Sequence, residues 1–271
     1  MALLGRLLCV AVPDTVLEEK DSPREKTAKL GLIARACSIY GVDVIQVFKD
    51  DRRRGEPALI RRVLEYLETP QYLRRRLFPL DEMLRYAGAL PPLRIPSHKP
   101  KIPMERLSVG DERDGVVNAD GTVDIGLDRP PRLKEKAAAG SRVTVRVAST
   151  APLVAEVIPR DQVKEYWGYT VEMATVDGVF KDDWFGVKVA TSRFGNSLQS
   201  QAPAMREAVR AALGVKLIFG SPSRGLFDIV GPDLAKKARF VVNLFADQHV
   251  ETVRAEEAIS AGLGLVNVLM V

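Results

Sequence analysis

The sequence predicts an α/β protein whose parallel sheet is interrupted by a small β-barrel, and three observations predict it. An apolar strand, a capped helix and a second apolar strand follow one another from Leu7 to Phe48. From about Val116 the apolar spacing changes from a helical period to a period of two, with several short strands in about 70 residues. From about Phe185 strands and helices alternate again. The two α/β stretches therefore read as one discontinuous domain, residues 1–92 and 173–271, split by a β insertion at 93–172.

The elements follow in order. Leu7 to Val12 is an apolar strand. Ser22, Pro23 and Glu25 supply a helix cap, a preset first turn and a capping-box acid. Leu30, Ile33, Ala34 and Cys37 repeat at helical spacing, and Gly41 supplies the stop. Val42 to Phe48 is nearly continuous in apolar residues, as strands inside parallel sheets are. No glycine fingerprint follows the first strand, and Gly262-Leu263-Gly264 sits inside a late helix, so a dinucleotide-binding Rossmann fold gains little support. The proline-bearing stretch Leu90 to Pro103 marks a domain crossing. Val116 and Val117 lead into an Asp120-Gly121 turn, after which Val123, Ile125 and Leu127 alternate with polar neighbours, a hairpin signal. Val143, Val145 and Val147 alternate with Arg142, Thr144 and Arg146, so both arginines are expected on the solvent side of their strand. Leu153 to Ile158 is a further strand. Tyr166, Trp167 and Tyr169 near the return crossing are packing groups or base platforms.

The second α/β stretch reads as a strand at Val187–Ala190, a helix at Ala202–Leu213, a strand at Lys216–Phe219, the turn GSPSRG at Gly220–Gly225, a strand at Phe240–Val242 and a helix from about Thr252. Ala255, Ala258, Ile259, Gly262, Leu263 and Val266 share one side of that helix. Most are small, which lets another backbone approach closely. Gly220–Gly225 and Asn243–Thr252 each follow a parallel strand, and loops at the carboxyl ends of such strands converge on one crevice.

Composition bounds the function. The chain has 271 residues, 46% of them hydrophobic, enough for one large core or two modest ones. No apolar run approaches the roughly 18 to 20 residues of a membrane span, and the opening MALLGRLLCVAVPD lacks a signal cleavage site, so a cytoplasmic protein is expected. Cys9 and Cys37 are the two cysteines, which excludes a disulfide framework or a four-cysteine metal site. His98 and His249 have no sequence-visible Ser or Cys partner, so a hydrolytic triad gains no support. Between residues 50 and 106 thirteen Lys and Arg face eight Asp and Glu, a surplus equal to the whole chain's +5. Arg52, Arg53, Arg54, Arg61, Arg62, Arg74, Arg75 and Arg76 make up most of it. Such a cluster suits a phosphate backbone, or forms a solvated face balanced by Glu56, Glu65 and Glu68.

Three stretches carry a resemblance. SPREKTAKLGLIARACSIYGVDVIQVF, YLETPQYLRRRLFPLDEMLRYAGALPPLRIP and VVNLFADQHVETVRAEEAISAGLGLVN resemble, in order, the hallmark segments of one branch of the SPOUT methyltransferases. This is the archaeal and eukaryotic group of putative RNA methyltransferases with an inserted OB-like domain. The likeness runs from about Val10 to the C-terminus. It implies a trefoil-knotted SPOUT domain with a parallel sheet, interrupted by an OB-like barrel. It further implies S-adenosylmethionine as cofactor, held by Gly220, Ser221, Gly225, Asn243, Leu244, Phe245, Gln248 and Thr252. Arg193, in ATSRFGNSL, matches the place where the family offers an arginine near the methionine end or the target base. Arg74, Arg75, Arg76, Arg142 and Arg146 become candidate RNA contacts. A homodimer is expected, with Ala255, Ala258, Ala261 and Gly262 as its close-packed face. Relatives point to ribosomal RNA and a uridine N3; the alternative is a noncatalytic RNA-binding or ribosome-assembly factor that keeps the fold. The chain departs from the family wording at Ala246, where proline is common, and at His249, where glycine is common.

Overall fold

The computed structural model describes residues 7–17, 20–181 and 185–270, so the opening MALLGR lies outside the described residues. The chain begins with β1 (Leu7–Pro13), α1 (Pro23–Ile39) and β2 (Val44–Phe48). β1 is buried from Leu8 onward and pairs in parallel with β2, Cys9 beside Val44 and Pro13 beside Phe48. α1 starts as its sequence predicts: the Ser22 hydroxyl accepts from the Glu25 N–H, and the Glu25 carboxylate accepts from the Ser22 N–H. Gly41, at φ 68°, takes the left-handed conformation that ends the helical segment. Cys9 and Cys37 are free and buried, and burial pushes the Cys37 thiol upward in pKa, which keeps it protonated and unreactive.

Two compact units are present. One comprises Glu68–Glu82 and Pro92–Gly168; the other runs from β1 to Leu67 and takes in Met83–Pro91 and the chain from Tyr169. Glu68–Glu82, expected with residues 1–92, groups instead with the β segment. α2 (Pro57–Glu68) ends where the first unit begins, and α3 (Gln71–Leu77) belongs to the β unit. Tyr72 explains why: its hydroxyl donates to the Asp114 carbonyl at 2.7 Å, and the Arg113 guanidinium lies 5.3 Å from its ring centroid.

The β unit holds β3 (Glu112–Val117), β4 (Val123–Asp124), β5 (Arg132–Leu133), β6 (Arg142–Thr150) and β7 (Leu153–Val157), in the order β4-β3-β6-β7-β5. The Asp120-Gly121 turn closes the β3–β4 hairpin, with Val117 opposite Val123 and Gly121 at φ 80°. The Val123 N–H donates to the Pro131 carbonyl and the Leu133 N–H to the Gly121 carbonyl, joining the two ends of the sheet. The sheet is thus nearly closed and barrel-like, which leaves little unpaired edge. Leu107, Val123, Ile125, Val145, Val147 and Ala155 fill it.

Arg142 does not project into solvent as its strand alternation suggested. It donates to Glu68 Oε2 at 2.6 Å and, through Nε, to Asp114 Oδ2 at 3.1 Å. Asp114 Oδ1 also accepts from Thr144 Oγ1 and from Trp167 Nε1, and Glu68 Oε1 accepts from Arg160 at 2.7 Å. Glu68 and Asp114 are 3% and 1% exposed, so these carboxylates sit inside the unit and each has more than one donor. Burial opposes the Arg142 charge, but the two carboxylates more than offset it and raise its pKa. Two of the three aromatics at the return crossing are likewise packing groups: Trp167 and Tyr169 are 4% and 1% exposed, and the Tyr169 hydroxyl donates to the Leu64 carbonyl. Arg146 is paired with Glu112 at 2.7 Å, Arg76 bonds Asn118 and Asp124, and Arg74 donates to the Thr69 carbonyl. Of the five arginines expected to meet RNA, Arg75 alone is exposed without a partner among the described residues.

The chain then completes the parallel sheet with β8 (Thr170–Ala174), α4 (Val176–Phe180), β9 (Gly186–Ser197), α5 (Leu198–Ala211), β10 (Gly214–Ile218), α6 (Leu226–Val230), α7 (Leu234–Lys237), β11 (Phe240–Asn243) and α8 (Ala255–Met270). Its order is β11-β9-β10-β1-β2-β8, every neighbouring pair parallel. α5 starts four residues before the expected Ala202, because the Ser197 hydroxyl caps it by accepting from the Ser200 N–H; Pro203 lies inside it. α8 packs against α1 and α5. Its glycines are used in close packing: a Cβ at Gly262 would lie 3.1 Å from Leu244 Cδ1, and one at Gly264 would lie 3.0 Å from Tyr40 Oη. Among the described residues no helix is long and apolar enough to cross a membrane.

Candidate functional site

Three backbone excursions at the carboxyl ends of neighbouring strands build one cleft. The first is a bulge inside β9. Val241 pairs with Ala190, yet Val242 pairs with Asn196, so Thr191 to Gly195 leave the ladder and return to it. Gly195 is required there, since a Cβ would lie 2.7 Å from the Val241 carbonyl oxygen. The second excursion is the turn between β10 and α6, and the third is the loop between β11 and α8. Together they line a cleft of about 340 Å³, within the range of small-molecule sites.

Every cofactor candidate named from the sequence lines this cleft: Gly220, Ser221, Gly225, Asn243, Leu244, Phe245, Gln248 and Thr252, with Arg193 alongside. Their side chains divide the work unevenly. Asn243 ties the excursions together, its Nδ2 donating to the Arg193 carbonyl at 3.1 Å and its Oδ1 accepting from the Phe245 N–H at 2.9 Å. Gln248 Nε2 donates to the Val250 and Glu251 carbonyls and so folds its own loop. Ser221 closes the turn, its N–H donating to the Arg224 carbonyl while its hydroxyl accepts from the Arg224 N–H. Phe219, Leu244 and Phe245 contribute apolar wall.

Two features escaped the sequence reading. Phe194 stands 70% exposed at the cleft with the Arg193 guanidinium 4.8 Å from its ring centroid. An exposed aromatic under a cation at a cleft is a platform for a planar ligand. The signal was the Phe directly after Arg193, which strand patterning assigns no role. The second feature is an anchor. Arg224 donates through Nη1 to both oxygens of Asp50 and through Nη2 to the Asp228 carbonyl. Asp50 is 1% exposed, and its own N–H donates to Asp14 Oδ1 at 2.9 Å. Burial raises the Asp14 pKa, opposed by that N–H. Arg53 adds a bond from Nη1 to the Ser223 hydroxyl at 2.9 Å. The turn is therefore held from the end of β2, by residues remote in sequence.

The turn's two glycines differ in what a side chain would meet. A Cβ at Gly220 would lie 2.9 Å from the Arg224 carbonyl oxygen and 3.1 Å from Gly225 Cα, backbone that cannot step aside alone. One at Gly225 would find only Asp228 Oδ2, at 3.7 Å. Gly220→Ala is expected to cost about 1–3 kcal/mol, the usual range for overpacking, and Gly225→Ala to stay within about 0.5 kcal/mol. Urea denaturation of both variants checks the contrast. Equal costs would mean that the turn has no tight side.

A crevice at the carboxyl ends of a parallel sheet is where open α/β proteins commonly bind small ligands. The model of the family described as Putative RNA methyltransferase matches residues 7–266, and the chain belongs to that family. This agrees with the SPOUT resemblance carried by the sequence. An uncharacterized protein of Halobacterium salinarum is 34% identical over 94% of this chain and 96% of its own. The 28S rRNA (uridine-N(3))-methyltransferase of Mus musculus is 31% identical over 94% of this chain and 74% of its own, and that of Homo sapiens 30% identical over 94% and 76%.

Proposed function

We propose that this chain transfers a methyl group from S-adenosylmethionine to N3 of a uridine in ribosomal RNA. The observation that carries the reading is the convergence of the β9 bulge, the β10–α6 turn and the β11–α8 loop on one cleft, in a chain of this family. The residues fit the cofactor. Gly225 leaves room, a Cβ there meeting only Asp228 Oδ2 at 3.7 Å, Leu244 and Phe245 offer apolar surface to an adenine, and Ser221, Ser223 and Thr252 offer polar groups beside it. Bound there, the cofactor would supply a sulfonium-activated methyl group.

The protein's own part is alignment and charge. The cleft walls hold the donor and exclude water, and Phe194 with Arg193 receives a planar base at the mouth. N3 of uracil must lose its proton to become nucleophilic, which places negative charge on the ring. Arg193, exposed at the cleft, stabilises that anion, with water as the proton's acceptor.

The same proposal covers the finer features of the fold. Return of the chain from β11, at one edge of the sheet, to pack α8 on α1 supports the trefoil knot. The nearly closed β unit supports an OB-like barrel. Leu32 and Ile39, two helical turns apart on α1 and 57% and 60% exposed, support burial in a homodimer. A cytoplasmic setting belongs to the proposal as well.

Incubation with radiolabelled S-adenosylmethionine and ribosomal RNA, followed by nucleoside analysis, is the test. Label in 3-methyluridine is expected, with a loss of about 100-fold or more in Arg193→Ala on the scale of one lost oxyanion-type donor. Binding of cofactor and RNA without transfer would make the chain a noncatalytic RNA-binding factor instead.

A further inference from the structure

A second cleft lies wholly within the β unit. It measures about 670 Å³, and its lining includes Tyr72, Arg94, His98, Lys99 and Lys101 with no carboxylate among the lining residues. Three of the five arginines that the sequence singled out in this unit are already neutralised: Arg142 by Glu68 and Asp114, Arg146 by Glu112, Arg76 by Asp124. Arg94 and Lys101, by contrast, are exposed and have no ion-pair partner among the described residues. Among the described residues Lys99 has only the face of Trp167, at 5.7 Å from the ring centroid. Three uncompensated cations on one concave surface make a local positive field that a paired surface lacks.

The segment that carries them is anchored in the unit. Leu93, Ile95 and Ser97 are 2%, 7% and 0% exposed, which anchors alternate residues in the unit. His98 Nε2 donates to the Glu68 carbonyl at 2.7 Å, and burial lowers its pKa to about 4, so the imidazole is neutral near pH 7 and this bond persists. Arg94 sits at φ 55°, a left-handed conformation in which glycine would carry no steric cost. The position nevertheless carries a guanidinium, at the cleft's edge.

We infer that this cleft binds the phosphodiester backbone of RNA, with Arg94, Lys99 and Lys101 as its phosphate contacts. The inference rests on the RNA substrate proposed above and moves the grip away from the strand face of β6, whose arginines are already paired. Because the backbone is anchored beforehand, little loop order is lost when phosphates arrive. Cations free of carboxylates release the full share of RNA counterions, so the contact is strongly salt-dependent.

The test compares the full chain with the variant Arg94→Gln/Lys99→Gln/Lys101→Gln, using fluorescence anisotropy with a labelled oligouridine and with ribosomal RNA between about 50 and 200 mM salt. The slope of log affinity against log salt is expected to become shallower by about 2, near 0.7 for each lost phosphate on single-stranded RNA. S-adenosylmethionine affinity and the melting temperature should hold. Arg94→Gly separates binding from folding, because the backbone there accepts glycine: its melting temperature is expected to match the parent while its slope falls by about 0.7. A triple variant with the parent's slope overturns the inference, and if that parent still labels ribosomal RNA, the methyltransferase reading survives alone. A shallower slope in the triple variant, with a parent that labels no RNA, supports the cleft and removes the methyltransferase reading.

Discussion

Arg142→Ala is expected to destabilise the β unit by about 3–5 kcal/mol, the cost of breaking a buried ion pair from one side. Glu68 would keep Arg160, but Asp114 would lose the Arg142 guanidinium and retain Thr144 and Trp167 as neutral donors. Both carboxylates are nearly inaccessible, so water cannot replace the missing charge without opening the structure. Urea denaturation followed by fluorescence in a Trp184→Phe background reads this, since the remaining indole, Trp167, donates its N–H to Asp114 at 2.7 Å. A surface arginine reserved for RNA would behave otherwise: its removal changes stability by less than about 0.5 kcal/mol. An Arg142→Ala protein as stable as the parent would therefore return Arg142 to the list of RNA contacts.

The reason Arg142 was misplaced shows where sequence reasoning stops. Alternation along β6 correctly turns Val145 and Val147 into the barrel and Arg142 and Arg146 the other way. A period of two says which residues share a face; it does not say what covers that face. Glu68 arrives from the end of α2, far away in sequence, and with Trp167 and Arg160 it roofs a surface that looks solvent-facing on the strand alone. The capping box of α1, the Gly41 stop and the Asp120-Gly121 hairpin were legible because each is decided within a few residues. The cleft was legible for a different reason. Parallel strands put their following loops at one end, so naming the strands names the site, even though β9 extends through Ser197 where its apolar run ends at Ala190. Polar TSRFGNS hides that continuation, and only the pairing of Val242 with Asn196 reveals the bulge.

Asp50→Ala should have its largest effect at the cleft. Asp50 follows β2 and is 1% exposed, and Arg224, whose side chain is 12% exposed, donates to both its oxygens across 174 positions of sequence. The other bonds of the turn hold it less firmly from outside, since the Ser221 bonds are internal to it and the Arg53–Ser223 bond lies at the surface. Removing the carboxylate leaves a guanidinium largely buried with only the Asp228 carbonyl to serve it, a loss of about 3–5 kcal/mol. Relief comes from moving Arg224 into solvent, which drags the Gly220–Gly225 backbone out of its cleft geometry. Affinity for S-adenosylmethionine is expected to fall tenfold or more by calorimetry, while the salt slope of RNA binding stays at the parent's value. The paired neutral variant Asp50→Asn/Arg224→Gln removes both charges together and should recover much of the stability, because no unmatched charge remains buried. An Asp50→Ala protein with unchanged cofactor affinity would show that the turn keeps its shape without this anchor.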